Sequence, residues 1–93
     1  MTEHILFVDD EDCILEIAEA MFEQQGIRIL TARNGEEALE KIESSEIAVI
    51  VSDHHMPGMM GLDLLSRIKV ISPDTVKILM TGFADLETAI EAI

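Results

Sequence analysis

The sequence has few of the residues that mark a secreted or membrane-bound protein. Cys13 is the only cysteine, so no intramolecular disulfide can form, and a reducing compartment such as the cytoplasm is expected. No apolar run approaches the ~20 residues that a membrane-spanning helix requires. The N-terminal segment MTEHILFVDD carries an acid where a signal peptide carries lysine or arginine. We therefore expect a cytoplasmic protein that does not cross a membrane.

Positive charge is also scarce. Six basic residues stand against 19 acidic ones, and the formal net charge is −13. This charge opposes contact with a phosphate backbone, so direct binding of nucleic acid is not expected. The excess of acids has two interpretations: solvated helix faces that keep the chain soluble, or carboxylates gathered around a cation. A length of 93 residues allows one small domain.

What the sequence does contain is a regular alternation of short apolar runs and helical patterns. The runs ILFV, IAVIV and VKILM, at residues 5–8, 47–51 and 76–80, are typical of parallel strands covered on both faces, and residues 28–32 predict a weaker, more peripheral strand. The helical patterns share apolar side chains at intervals of three or four residues. They comprise Ile14, Ile17, Ala18 and Met21; Ala38, Leu39 and Ile42; Leu62, Leu65 and Ile68; and, from Ala84 to Ile93, Leu86, Ala89, Ile90 and Ile93. This order predicts an α/β fold with a doubly wound parallel sheet of about four strand–helix units.

Polar side chains follow three of these strands. In open parallel sheets, ligands bind beyond the carboxyl ends of the strands. The first strand ends in Asp9 and Asp10, the third ends in Asp53, and the fourth ends in Thr81. Clustered carboxylates repel one another unless a cation offsets them, and oxygen-only ligands indicate a hard ion such as Mg2+. A carboxylate beside Mg2+ either holds the metal or attacks a phosphoryl group to form an acyl phosphate, with a hydroxyl as hydrogen-bond donor.

Together these motifs resemble the receiver domains of bacterial two-component response regulators. FVDDE, SDHHMPGMMG and ILMTG match the family's three strand ends, and the resemblance covers essentially all 93 residues. It implies a flavodoxin-like fold and a phosphoryl group transferred to Asp53 from a histidine kinase or phosphotransfer protein. It also implies that Asp9, Asp10, Asp53 and the main-chain carbonyl of His55 hold Mg2+, and that Thr81 contacts the phosphoryl group. We expect a signalling module rather than an enzyme, with at most Mg2+-dependent self-phosphorylation and autodephosphorylation.

The two histidines invite another interpretation. Asp-His-His after a strand also resembles a motif of manganese-dependent phosphoesterases, but those enzymes need further ligands and a much larger chain. In receiver domains this segment gives the site a backbone carbonyl while its side chains face solvent, which implies that His54 and His55 do not bind metal through their rings. We hypothesise that the His55 imidazole tunes hydrolysis of the acyl phosphate. An unchanged dephosphorylation rate in His55→Ala would contradict that hypothesis.

The C-terminal end departs from the family pattern. Receiver domains have a fifth strand and helix, and a lysine after that strand pairs with the phosphoacceptor, whereas the last lysine here is Lys77 in the fourth run. We therefore expect residues 1–93 to form a C-terminally incomplete receiver domain. The alternative function is a phosphorylation-incompetent receiver that acts as a dimerisation or interaction module. In that case a second copy would pair through the exposed fourth strand.

Overall fold

A computed structural model describes residues 3–80, which form four strands and three helices in strict alternation. The strands are β1 (His4–Val8), β2 (Ile29–Ala32), β3 (Ile47–Asp53) and β4 (Val76–Met80). The helices are α1 (Asp12–Gln24), α2 (Gly35–Ser44) and α3 (Gly61–Ile71). The predicted fourth helix, Ala84 to Ile93, lies outside the described residues.

The strands form one parallel sheet in the order β2-β1-β3-β4. The chain steps from β1 to β2 in one direction and then returns past β1 to β3 and β4. Right-handed crossovers therefore put α1 on one face of the sheet and α2 and α3 on the other. The contact of Phe7 in β1 with Phe22 in α1, with ring centroids 6.3 Å apart, agrees with this arrangement. The predicted doubly wound parallel sheet is confirmed, with β2 at one edge.

The hydrophobic core lies between the sheet and the α2–α3 pair. Leu6, Ile50, Leu64 and Ile68 are fully buried there. The predicted α2 stripe faces this core, as do Leu65 and Ile68 of the α3 stripe. Leu62 is only half-buried and is not part of the cluster, whereas Leu64, which the stripe did not include, is fully buried in it. This side of the sheet is where most apolar area is removed from water, and it fixes the positions of the strand ends.

Helix α1 covers only part of the opposite face, and the stripe predicted for it is partly wrong. Leu15 and Ala18 are buried, but Ile17 and Met21 are 56% and 58% exposed. On the other side of the helix, Glu19 accepts a hydrogen bond from Thr31 of β2. Helix α1 thus lies over β1 and β2. Its exposed side, with Ile17 and Met21, is adjacent to a part of the sheet that no helix within residues 3–80 covers.

Strand β4 forms the second edge of the described sheet. Val76 and Ile78 are 57% and 46% exposed, and they share the face on which α1 lies. These side chains agree with the predicted exposed fourth strand, whereas the expectation that the VKILM run is covered on both faces is wrong for Val76 and Ile78. Within residues 3–80, no helix is both long and apolar enough to cross a membrane.

Candidate metal centre

Three carboxylates meet where β1 and β3 end. Val8 and Ser52 are partners in the parallel register, so the residues that follow them, Asp9 and Asp53, leave the sheet side by side. Each of Asp9, Asp10 and Asp53 offers one oxygen, and these oxygens lie within 4.8 Å of one another. The structure therefore brings together the three aspartates that the sequence placed at this edge.

The electrostatics of this cluster are unfavourable without a cation. Asp9 is buried, and its Oδ1 accepts a hydrogen bond from the Glu11 N–H at 3.0 Å. Burial raises the pKa of the Asp9 carboxyl above its ordinary value; the Glu11 N–H lowers it, while the negative charges of Asp53 and Asp10 raise it further. Within residues 3–80, no lysine or arginine pairs with these carboxylates. An oxygen-only set with uncompensated negative charge fits a hard divalent cation such as Mg2+.

The segment after β3 continues the alternation of the strand. From Ile50 onward every second residue is buried, ending with His54 and Met56, while Asp53 is half-buried and His55 is exposed. Asp53 and His55 therefore face the edge of the sheet, and His54 and Met56 face the core. The expectation that both histidine side chains face solvent holds for His55 and is wrong for His54, because the strand pleat extends past the last strand residue.

Two backbone hydrogen bonds hold this segment in place. The His54 N–H donates to the Met80 carbonyl at 3.2 Å, and the His54 carbonyl accepts from the Gly61 N–H at 2.9 Å. Asp53 is thus held between the end of β4 and the start of α3. Thr81 follows Met80 directly but lies outside the described residues, so its contact with the phosphoryl group stays a prediction.

Gly61 has a role that the sequence did not reveal. A Cβ at this position would overlap the carbonyl oxygen of Asp53 and lie 2.9 Å from the His54 Cα. Only glycine allows the start of α3 to approach the end of β3 this closely. One signal in the sequence could have indicated this role. Gly61 is the first residue of a helix with a strong apolar stripe, and glycine is a poor helix former.

The two histidine rings lie beside each other but not in the carboxylate cluster. Their centroids are 5.0 Å apart, and within the described residues the cluster contains carboxylates alone. That the rings do not bind metal stays a prediction. The Nδ1 of His54 is buried and has no hydrogen-bond partner in the part of the chain that the structure describes.

This fold and this edge of acids are those of a signalling domain that carries a phosphoacceptor aspartate. Residues 5–93 match the model of the response regulator receiver domain, and the chain belongs to that family. Receiver domains are phosphoacceptor modules that bind Mg2+ at an acidic pocket and interact with histidine kinases or phosphotransfer proteins.

Among curated proteins, the chain is similar to the uncharacterized transcriptional regulatory protein YesN of Bacillus subtilis, with 37% identity over 96% of this chain. It is also similar to sporulation initiation phosphotransferase F of the same organism, with 33% identity over 94% of this chain and 70% of the relative. The chain spans only 25% of the length of YesN.

Solved structures agree with these relatives. A response regulator receiver domain from Clostridium thermocellum superposes with a TM-score of 0.87 at 37% identity, over 99% of this chain and 74% of that one. The response regulator protein TrrA from Thermotoga maritima, in complex with Mg2+-BeF, gives a TM-score of 0.83 at 36% identity, over 95% of this chain and 76% of that one.

Proposed function

We propose that Asp53 is the phosphoacceptor of this receiver domain and that it takes its phosphoryl group from a histidine kinase or a phosphotransfer protein. One observation carries the proposal: the Asp53 carboxylate lies within 4.8 Å of those of Asp9 and Asp10, at the carboxyl ends of adjacent strands. Structural acids after strands are common as turn and helix caps. Three that converge with no lysine or arginine partner among residues 3–80 are better explained by a metal-assisted reaction.

The reaction follows from the nucleophile. One carboxylate oxygen of Asp53 attacks the phosphorus of a phosphohistidine, an O–P bond forms as the P–N bond breaks, and the electron pair returns to the imidazole nitrogen, which takes up a proton. Asp53 is half-buried, so a partner's phosphohistidine can reach it from the open edge of the sheet. The product is an acyl phosphate, whose new negative charge at the strand ends shifts the balance between two conformations.

Asp9, Asp10, Asp53 and the main-chain carbonyl of His55 are the proposed Mg2+ ligands. The ion would neutralise the equatorial oxygens of the phosphoryl group during transfer. Support comes from the oxygen-only donor set of the three aspartates and from the raised pKa of Asp9. The exposed His55 imidazole is the group that we propose to tune hydrolysis of the acyl phosphate.

Two further assignments complete the proposal. Thr81, next to Met80 at the end of β4, is the proposed hydrogen-bond donor to the phosphoryl group. Residues 1–93 act as one receiver domain in the cytoplasm, as a signalling module whose own chemistry is limited to gaining and losing this phosphoryl group.

The test is intact mass after incubation with acetyl phosphate and Mg2+. We expect a gain of one phosphoryl group in the wild-type chain, no gain in Asp53→Asn, and no gain when EDTA removes the metal. Asp63→Asn is the matched control, because Asp63 is an exposed acid in the first turn of α3, and it should be phosphorylated like the wild type. A wild-type chain without the added mass, or an Asp53→Asn variant that gains it, would overturn the proposal.

A second copy of this chain is the further partner that we propose. The supporting observation is β4, an edge strand of the described sheet that exposes Val76 and Ile78 beside the exposed side of α1. Light scattering on the eluting protein should report a dimer that Val76→Lys dissociates. Val70→Lys, at a still more exposed valine on α3, should leave the dimer intact. A monomeric wild-type chain at high concentration would contradict this pairing.

A further inference from the structure

The His54 side chain occupies an unusual position for a polar group. It is 8% exposed, and its Nδ1 has no hydrogen-bond partner in the part of the chain that the structure describes. A buried nitrogen without a partner loses its hydrogen bonds to water and gains no hydrogen bond in the protein. This loss destabilises the conformation that contains it. Such a group in a native structure calls for an explanation beyond packing.

Packing alone does not require the nitrogen. Of the other buried positions on the same side of this segment, Ile50 and Met56 are apolar, and the one polar group, the Ser52 hydroxyl, is satisfied because it donates to the Asp53 carbonyl at 2.9 Å. An apolar ring at position 54 would anchor the segment equally well and would leave no orphaned atom. The imidazole nitrogen is therefore a disadvantage in the conformation seen here.

The backbone of His54 couples it to the parts of the site. Its N–H bonds to the Met80 carbonyl at the end of β4, its carbonyl accepts from Gly61 at the start of α3, and the preceding residue is Asp53. A shift of either strand end or of α3 must therefore displace the imidazole relative to its surroundings. Interiors that are this closely packed move between discrete arrangements rather than deform continuously.

We infer that His54 is a positioning residue of the phosphorylation switch, whose buried Nδ1 gains a hydrogen bond in the phosphorylated conformation that it lacks in this one. The inference rests on the proposed phosphoacceptor function of Asp53. A group that is satisfied in only one of two conformations shifts the equilibrium towards that conformation. The orphaned nitrogen thus disfavours the unphosphorylated conformation and lowers the barrier to leaving it.

Two variants separate the nitrogen from the ring. His54→Phe keeps a ring that fills the site and removes the nitrogen, whereas His54→Asn keeps a polar atom at the position of Nδ1. We expect His54→Phe to raise the thermal midpoint of the unphosphorylated protein and to lower the ratio of phosphorylated to unphosphorylated protein at steady state in acetyl phosphate, on the order of tenfold. In His54→Asn the ratio of phosphorylated to unphosphorylated protein should stay closer to that of the wild type than in His54→Phe.

The matched control is His4→Phe. His4 is the first residue of β1, at the amino ends of the strands and far from Asp53. Its Nδ1 lies 3.4 Å from the Glu46 carbonyl. The same chemical change there should leave the phosphorylated fraction unaltered. A direct readout is the 15N resonance of His54 Nδ1 in the wild-type protein, which should shift on phosphorylation as the nitrogen gains its partner.

The outcomes are distinguishable. A wild-type protein that gains the phosphoryl group, with an unchanged ratio in His54→Phe and an unmoved Nδ1 resonance, overturns this inference and leaves the role of Asp53 intact. A wild-type protein that gains no phosphoryl group overturns both. If His54→Phe does not fold, the His54→Asn ratio and the wild-type resonance decide the inference by themselves.

Discussion

Thr75 at one end of the sheet contrasts with Asp9 and His54 at the other, although all three are buried polar residues. At the amino ends of the strands, Thr75 is buried and fully satisfied: its Oγ1 donates to the Ile47 carbonyl at 2.8 Å and lies 2.7 Å from the Ser72 Oγ. Its own carbonyl accepts from the Lys77 ammonium at 2.7 Å. At the carboxyl ends, the buried Asp9 faces two other carboxylates, and the His54 Nδ1 has no partner among the described residues.

This difference separates structure from function within one small domain. A buried polar group with all its hydrogen bonds adds specificity to the fold and needs no ligand or ion to offset its burial. A buried group without them is destabilising until a ligand, an ion or a second conformation supplies the missing interaction. Substitutions that remove a buried polar group should therefore lower stability at the amino ends and raise it where the group is unsatisfied at the carboxyl ends.

The largest effect should come from Gly61→Ala at the carboxyl end. The added Cβ meets the Asp53 carbonyl oxygen, which is backbone and cannot move aside, so α3 or the end of β3 must shift. We expect a loss of ~3 kcal/mol or more in the free energy of unfolding, at the upper end of overpacking costs, together with a loss of phosphorylation. Chemical denaturation and intact mass measure the two effects.

Gly35→Ala is the comparison for that variant. A Cβ at Gly35 would lie 2.7 Å from the Sδ of Met59, the flexible end of a side chain that can rotate away. The cost should be under ~1 kcal/mol, because alanine also favours the first turn of α2. Equal losses in the two variants would mean that the approach of α3 to Asp53 is not the constraint described here.

Thr75→Val tests the amino end. The substitution preserves shape, removes the hydroxyl, and deprives the Ile47 carbonyl and the Ser72 hydroxyl of the hydrogen bonds that they make with it. We expect the free energy of unfolding to fall by about 1–3 kcal/mol, with phosphorylation by acetyl phosphate unaffected. Ser66→Ala on the exposed side of α3, where the hydroxyl bonds only to the Leu62 carbonyl, should stay within about 0.5 kcal/mol of wild type. A stability gain in Thr75→Val would break the comparison between the two ends.

Much of the fold and of the carboxylate cluster could be predicted from the sequence, because both depend on periodicity. Unbroken apolar runs predicted the parallel strands, and the parallel arrangement alone required that Asp9, Asp10 and Asp53 emerge at one edge. The outcome for Ile17 and Met21 could not be predicted in this way. A helical period identifies an apolar side but not how much of it a neighbouring element covers.

Other features depend on three-dimensional contacts that a local pattern does not contain. His54 is buried because the alternation of β3 continues beyond its last residue, Asp53. The sequence IAVIVSD does not show that the alternation continues there. The role of Gly61 depends on how closely α3 approaches the Asp53 carbonyl. Both residues lie in the quoted motif, yet the motif gives their positions and not their contacts.

The smallest effect should come from Asp9→Asn, and it should have the opposite sign to that of Thr75→Val. Because burial and the neighbouring carboxylates raise the pKa of Asp9 in the folded chain, the ionised carboxylate is less favourable there than in the unfolded chain. This penalty is fully present above the raised pKa. It shrinks as pH falls through that pKa and vanishes below the ordinary pKa of the unfolded chain.

In EDTA at neutral pH, Asp9→Asn should therefore raise the thermal midpoint slightly, and the gain should disappear as the solution becomes acidic. Glu43→Gln, which removes one exposed charge from the same strongly acidic chain, controls for general charge relief and should change little at either pH. Adding Mg2+ should reverse the order if Asp9 is one of its ligands as proposed, because the ion would stabilise the wild-type cluster and the variant would lack one ligand. A variant less stable than wild type in EDTA would mean that Asp9 is satisfied like Thr75, and that the carboxyl ends of the strands do not require a cation.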